Sequence, residues 1–327
     1  MLSRTADNLF WMCRHVERAE NTARMLDVNL QMSLLPQDAA TRERSWRAVM
    51  RISELQPLFD RRYPEGASRD VLRFMVRDAD NPSSIYACLR AARENARAVR
   101  GSLTTEVWET YNTTWLELLR HLHLELPERN PSEFFEWVKF RSHVARGVTL
   151  GTMLEDEALH FMRLGMHLER ADNTARMLDV KFHEYDDLNE AERGDEAGDI
   201  SGGISPQTEF YRWAAILGSV SGLEVYRKVY RDVITPDRVA ELLILRPDMP
   251  RSLLSSVRAV SQNLEHVSNG RSAETERRAG RLWAELRYGN VEDIMTGGLH
   301  GFLEQFLDRI NDLGNRISQD FLLPLSA

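Results

Sequence analysis

The sequence predicts an all-α fold: a compact multi-helix bundle built from two internally duplicated helical halves. Three observations carry that reading. Apolar residues recur at the helical period along nearly the whole chain, without convincing strand alternation. The fourteen residues HVERAENTARMLDV, from His15 to Val28, return as HLERADNTARMLDV, from His167 to Val180, with two conservative changes and an offset of 152. Further on, DNPSSIYACLRAARENARAV aligns with DMPRSLLSSVRAVSQNLEHV at an offset of 168, and Trp115 and Glu117 fall opposite Trp283 and Glu285.

The elements follow in order. A first helix spans roughly Arg4 to Leu34 and stops before Pro36; a second covers Thr41 to Phe59. In NPSSIYACLRAARENARAVRG, Asn81 suits an N-cap, Pro82 the first helical position and Gly101 the stop. TTEVWETYNTTWLELLRHL reads as a helix with Glu106 and Glu109 near its positive end. After Pro127 and Pro131 comes SEFFEWVKFRSHVARG, then a long helix from about Met153 to Tyr185. The polar, Gly-rich stretch 186–206 is expected as a surface loop, and helical patterns resume from Glu209. The offset grows from 152 to 168 because the second half carries this loop. One domain, 1–327, with halves of about 1–150 and 151–327, is therefore expected.

Composition narrows the function classes. With 43% hydrophobic and 28% charged residues in 327, the chain is globular in type. A net charge of −8 argues against a general nucleic-acid binder, which needs a basic field. No apolar run is long enough to span a bilayer, and the charged N-terminus lacks a secretory core, so a cytoplasmic location is expected. Cys13 and Cys88 have no metal-ligand spacing and read as buried reduced thiols.

Ala19, Thr22, Ala23 and Leu26 form a small-residue stripe, repeated as Ala171, Thr174, Ala175 and Leu178, on which the two copies are expected to cross. His15 and His167 lie on it and read as core histidines with satisfied nitrogens. Glu17 and Asn21 share their arc with Phe10 and Val28, so that arc is expected to be partly buried. The set recurs as Glu169, Asn173, Arg176 and Val180, and reads equally as a site or as a structural buried network. Glu20–Arg24 and Arg24–Asp27 have the spacing of an intrahelical ladder. Arg90, Arg93, Glu94 and Arg97 share another arc. It is either a solvated face or a site displaced toward the first half, since Ser261, Gln262 and Glu265 stand opposite Arg93, Glu94 and Arg97. Glu157 and His160 form a lone E-x-x-H, whereas a di-metal bundle wants two with further glutamates. Trp46, Trp115, Trp137, Trp213 and Trp283 read as bundle core. No phosphate loop, dinucleotide fingerprint or nucleophile elbow is present.

Three stretches, MLSRTADNLFWMCRHVERAENTARMLDV, NPSSIYACLRAARENARAVRGSLTTEVWETYN and EDEALHFMRLGMHLERADNTARMLDV, together resemble the bacterial alpha-E family. The resemblance implies an all-helical protein encoded beside, or fused to, a circularly permuted ATP-grasp ligase, often with a transglutaminase-like protein. It maps motif residues onto Glu17, Arg18, Asn21 and Arg24, onto Arg93, Glu94, Asn95 and Arg97, and onto Glu169, Arg170, Asn173 and Arg176, with Arg141 and Ser142 as a further polar pair. The expectation is a component of an amide-forming or peptide-modifying pathway. It would bind an amino-acid or peptide intermediate in one Glu/Arg/Asn pocket, without cofactor or metal. In a catalytic version Glu17, Glu169 or Glu94, with a raised pKa, acts as general base for aminoacyl or amide transfer. The alternative is a non-enzymatic scaffold that docks the ligase.

Overall fold

The computed structural model describes residues 1–34, 39–64, 66–194 and 206–322 and, of 39–41, 68, 181–194, 206–209 and 212, the backbone alone. Among the described residues the fold is all-α, with no strand. Two long helices, α1 (Ser3–Ser33) and α9 (Glu157–Gly194), pack against each other. Around them, α1 lies on α5 (Ile85–Ala98) and α8 (Pro131–Thr152), while α9 lies on α13 (Leu253–His266) and α16 (Leu299–Phe321). The first half also contains α2 (Ala39–Ile52), α3 (Gln56–Arg62), α4 (Ser68–Arg77), α6 (Thr105–His123) and α7 (Leu126–Arg129). The second contains α10 (Pro206–Ser219), α11 (Leu223–Tyr230), α12 (Pro236–Ile244), α14 (Ala273–Tyr288) and α15 (Val291–Gly297). Adding 168 to the bounds of α2 through α8 gives those of α10 through α16 to within three residues.

Local chemistry corrects several expected boundaries. The expected helix 41–59 breaks because Glu54 adopts a left-handed conformation (φ 55°) and Pro57 opens α3. Ser84, not Asn81, caps α5, its Oγ accepting from the Ala87 N–H at 3.0 Å. Asn81 instead shapes the preceding turn, accepting from the Ser83 N–H and donating to the Phe74 carbonyl. Ser252 caps α13 in the same way through the Ser255 N–H at 3.0 Å. Residues 186–194, expected in a loop, continue α9 because DDLNEAERG is rich in helix formers; 195–205 lie outside the described residues.

The small-residue stripes do not meet each other. Ala19, Ala23 and Leu26 enter one apolar core with Trp46, Phe74 and Phe134, whereas Ala171, Ala175 and Leu178 enter another with Phe10, Trp213 and Tyr226. The missing bulk lets α5 and α13 bring their first turns close. Thr22 Oγ1 donates to the Ser83 carbonyl at 3.4 Å, and Thr174 Oγ1 to the Arg251 carbonyl at 3.1 Å. Trp46 and Trp213 are core; Trp115, Trp137 and Trp283 are only half-buried.

Candidate functional site

What faces across the α1–α9 contact is charge. The neighbours Glu17–Arg18 and Glu169–Arg170 exchange partners. Arg170 donates Nε and Nη2 to the two oxygens of Glu17 at 2.8 and 2.9 Å. Reciprocally, Arg18 donates Nε and Nη2 to Glu169 at 2.5 and 2.9 Å. Both carboxylates are buried, and each sits in a bidentate guanidinium fork, the geometry in which the planar groups match best.

More guanidiniums crowd the same place. Arg14 reaches Glu169 at 2.9 Å. Glu17 also accepts from Arg146 and Arg251, both at 3.0 Å. Glu20, fully buried one turn on, accepts from Arg24 (2.7 Å), Arg146 and Arg251 (both 2.5 Å) and the Ser142 hydroxyl (2.6 Å). Arg251 bonds Asn21 Oδ1 as well, at 2.9 Å. Three carboxylates thus meet six guanidiniums, those of residues 14, 18, 24, 146, 170 and 251.

The cluster reaches the surface at Arg18 and at Arg146, 25% and 22% exposed, and beside Arg146 it forms a mouth on α8. His143, exposed on α8, lies with Nδ1 2.6 Å from Arg146 Nη2 and Nε2 3.3 Å from Arg24 Nη2. A neutral imidazole offers one lone pair, so it cannot accept from both. One of the two contacts sets a donor against a donor. Arg24 Nη1 donates further to the hydroxyl of the exposed Ser221 at 2.5 Å.

Proton affinities follow this charge. Burial, the largest influence on Glu169, would raise its pKa, but Arg18 and Arg14 together outweigh it and hold the carboxyl down at about 2. Glu17 and Glu20 are likewise held below the carboxylate range, against burial, by Arg170 and Arg251 and by Arg251 and Arg146 respectively. Burial lowers the pKa of Arg251 despite Glu17 and Glu20. The raised-pKa general base expected at Glu17 or Glu169 is therefore corrected: these are weak bases whose oxygens are already taken. His15 and His167 are lowered to about 4 and about 3, by burial first and then by Arg18 and Arg170. Their Nδ1 atoms have no partner among the described residues, so the expectation of satisfied nitrogens is also corrected.

The expected single pocket does not form from all its predicted residues. Glu17, Arg18, Asn21, Arg24, Glu169 and Arg170 come together, with Ser142. Arg176 pairs instead with Asp172 and Glu54, and Asn173 is half-buried beside that pair. On α5, Glu94 is 51% and Arg97 66% exposed. Arg93 pairs with Glu94 and lies over the Trp108 ring, and Asn95 is half-buried. Glu94 and Arg97 thus lie on a solvated face, because α5 turns Cys88, Ala92 and Ala96 toward the core. Arg141 points away from the cluster to Thr114 Oγ1 at 2.9 Å and the Thr110 carbonyl at 3.1 Å. Glu157 holds the Met1 ammonium, and His160 bonds Asn263 at 2.8 Å. Among the described residues no three His, Cys, Asp or Glu side chains gather where a metal could sit. Nor is any of their helices long and apolar enough to cross a membrane.

Sequence reasoning missed Arg14, Arg146, Arg251 and His143 as members, and read Glu20 only as the partner of Arg24 in an intrahelical pair, which does form. Arg251 had a visible signal, since it stands at the position of Ser83 in the aligned DNPSS and DMPRS segments. Arg146 follows Ser142 by one helical turn.

Over residues 1–322 the chain matches the Alpha-E family, described as a predicted alpha-helical domain with a conserved ER motif. No curated protein and no solved structure matches it. The chain belongs to the Alpha-E family, and the reciprocal pairs of Glu17–Arg18 with Glu169–Arg170 give an ER motif a physical meaning: a two-way clasp between the central helices.

Proposed function

We propose that this Alpha-E protein binds the carboxylate or phosphate of an amino-acid or peptide intermediate at the mouth formed by His143, Arg146, Arg24 and Ser221. It does so in the cytoplasm, as a component of an ATP-grasp-linked pathway that forms or modifies amide bonds. The observation that carries the reading is the excess of six guanidiniums over three carboxylates in a largely buried cluster. Uncompensated buried charge is costly, and an anion at the mouth would offset it. It would also supply the acceptor that His143 cannot supply twice. Arg forks recognise carboxylate and acyl-phosphate oxygens bidentately, which fits an amide-forming route.

A second reading has its own support. Each oxygen of Glu17, Glu20 and Glu169 already accepts from a side chain, as a rigid clasp in a non-enzymatic scaffold would require. Co-expression with a circularly permuted ATP-grasp ligase and mass spectrometry of the small peptides formed separates the two. Arg146→Gln is the variant of choice, because its side chain is 22% exposed and both its carboxylate partners keep other guanidiniums. Binding predicts lost product with the chain still folded and still co-purifying with the ligase. Undiminished product sinks the binding reading and leaves the scaffold.

A further inference from the structure

The parallel between the halves fails in one space, and the failure leaves a cavity. Helix α6 packs on α8 as α14 packs on α16. Between α6 and α8 the room is filled by Trp137, whose ring centroid lies 4.6 Å from that of His121 and 5.8 Å from that of Phe134. Its indole N–H donates to Glu117 Oε2 at 3.1 Å, and Arg141 stands 3.8 Å from the same carboxylate.

At a spacing of 168, Glu117 corresponds to Glu285, Phe134 to Phe302 and Arg141 to Arg309, while His121 becomes Gly289 and Trp137 becomes Gln305. The acceptor, its arginine and the phenyl ring are kept. The indole and the imidazole are gone. In their place is a cavity of about 370 Å³ lined by Glu285, Gly289, Phe302, Gln305 and Arg309 over an apolar floor that includes Leu286. That size is in the range of ligand pockets, about 300–1,000 Å³. Glu285 and Arg309 pair with each other and also edge an adjoining hollow of about 360 Å³. The adjoining hollow is lined by Arg277, Arg278, Arg281 and Arg309 against Glu274, Glu285 and Asp312.

We propose that the cavity receives a tryptophan side chain from a partner polypeptide. Its indole occupies the place that Trp137 holds in the first half and donates its N–H to Glu285. An acidic residue beside the tryptophan meets the adjoining arginine-rich hollow. The ring enters from outside, because Gln305 and Arg309 are exposed at the rim. Aromatic anchors in such pockets commonly dominate an interface. This surface is separate from the mouth at His143, so the inference stands whether or not the anion reading does.

The test is calorimetric titration of the full chain with a short acetylated, amidated peptide carrying one tryptophan followed by two glutamates. Saturable binding is expected, weakened about tenfold or more when the peptide's tryptophan is replaced by alanine. Gln305→Trp, which refills the cavity from within, should weaken it by a similar factor. Arg281→Glu, on an exposed helical position, should do so through the flanking acids without touching the core. No binding, equal binding of the alanine peptide, or unchanged affinity in both variants overturns the proposal. So does N-acetyltryptophanamide binding as tightly as the peptide, since the site would then take free indoles rather than a polypeptide.

Discussion

Glu169 keeps its charge where burial alone would remove it, and that has a consequence for stability. In the unfolded chain this carboxyl takes a proton near pH 4.5; in the fold it does so only at about 2. Its contribution is therefore complete above the ordinary carboxylate range and is lost as pH falls from about 4.5 toward 2, amounting to roughly 3 kcal/mol. Glu169→Gln, which strands Arg14 and Arg18, should cost about 3–5 kcal/mol at pH 7 and flatten the acid limb of urea unfolding measured at several pH values. A loss under about 1 kcal/mol would mean the pair is solvated. The histidines act higher on the scale. His15 and His167 stay neutral in the fold down to about 4 and about 3, whereas unfolded histidine is protonated near 6.5. Stability should fall as pH drops below 6.5, and His167→Gln should reduce that slope. An NMR titration that found the His167 ring protonating near 6.5 would contradict this.

At the scale of elements, the clasp depends on how closely α1 and α9 approach. A Cβ built on Gly165 of α9 would lie 2.1 Å from the Phe10 carbonyl oxygen of α1, a collision with backbone that no side-chain rotation relieves. Gly165→Ala should destabilise the protein by about 1–3 kcal/mol or more and lower the thermal midpoint, although alanine favours helices elsewhere. An unchanged midpoint would mean the helices are not held at that distance. The helices themselves were legible, because apolar periodicity and the repeated fourteen residues are local properties. The faces they turn to each other were not. Ala19, Ala23 and Leu26 look like a helix–helix seam, and they are one, but toward the core shared with α5. Glu20 looks like half of an i,i+4 pair, yet Arg146, Arg251 and Ser142 surround it from helix and loop positions more than a hundred residues away. Only tertiary packing puts those donors there.

Across the whole molecule, the two halves share their buried charges. Glu17 and Glu20 on α1 draw Arg170 and Arg251 from the second half, while Glu169 draws Arg14 and Arg18 from the first. Residues 1–152 expressed alone should therefore lack a cooperative thermal transition and recover one when 153–327 is supplied. Independent cooperative unfolding of either piece would show that the clasp is an accessory. Asymmetry between the halves was also partly readable. The difference on α5, where Arg93 and Glu94 align with Ser261 and Gln262, lies outside the charge cluster: Arg93 pairs with Glu94, and Ser261 is buried in α13. The single exchange of Ser83 for Arg251 lies at the centre of the charge surplus.

The surplus itself is most directly tested by isothermal titration of N-acetyl-glutamate and of inorganic phosphate into the protein at constant ionic strength. One site per chain is expected, with affinity reduced about tenfold in Arg146→Gln and reduced also in His143→Ala. If wild type and Arg146→Gln take up either anion equally, or neither binds at all, the six guanidiniums are neutralised without a ligand and the proposed function is wrong.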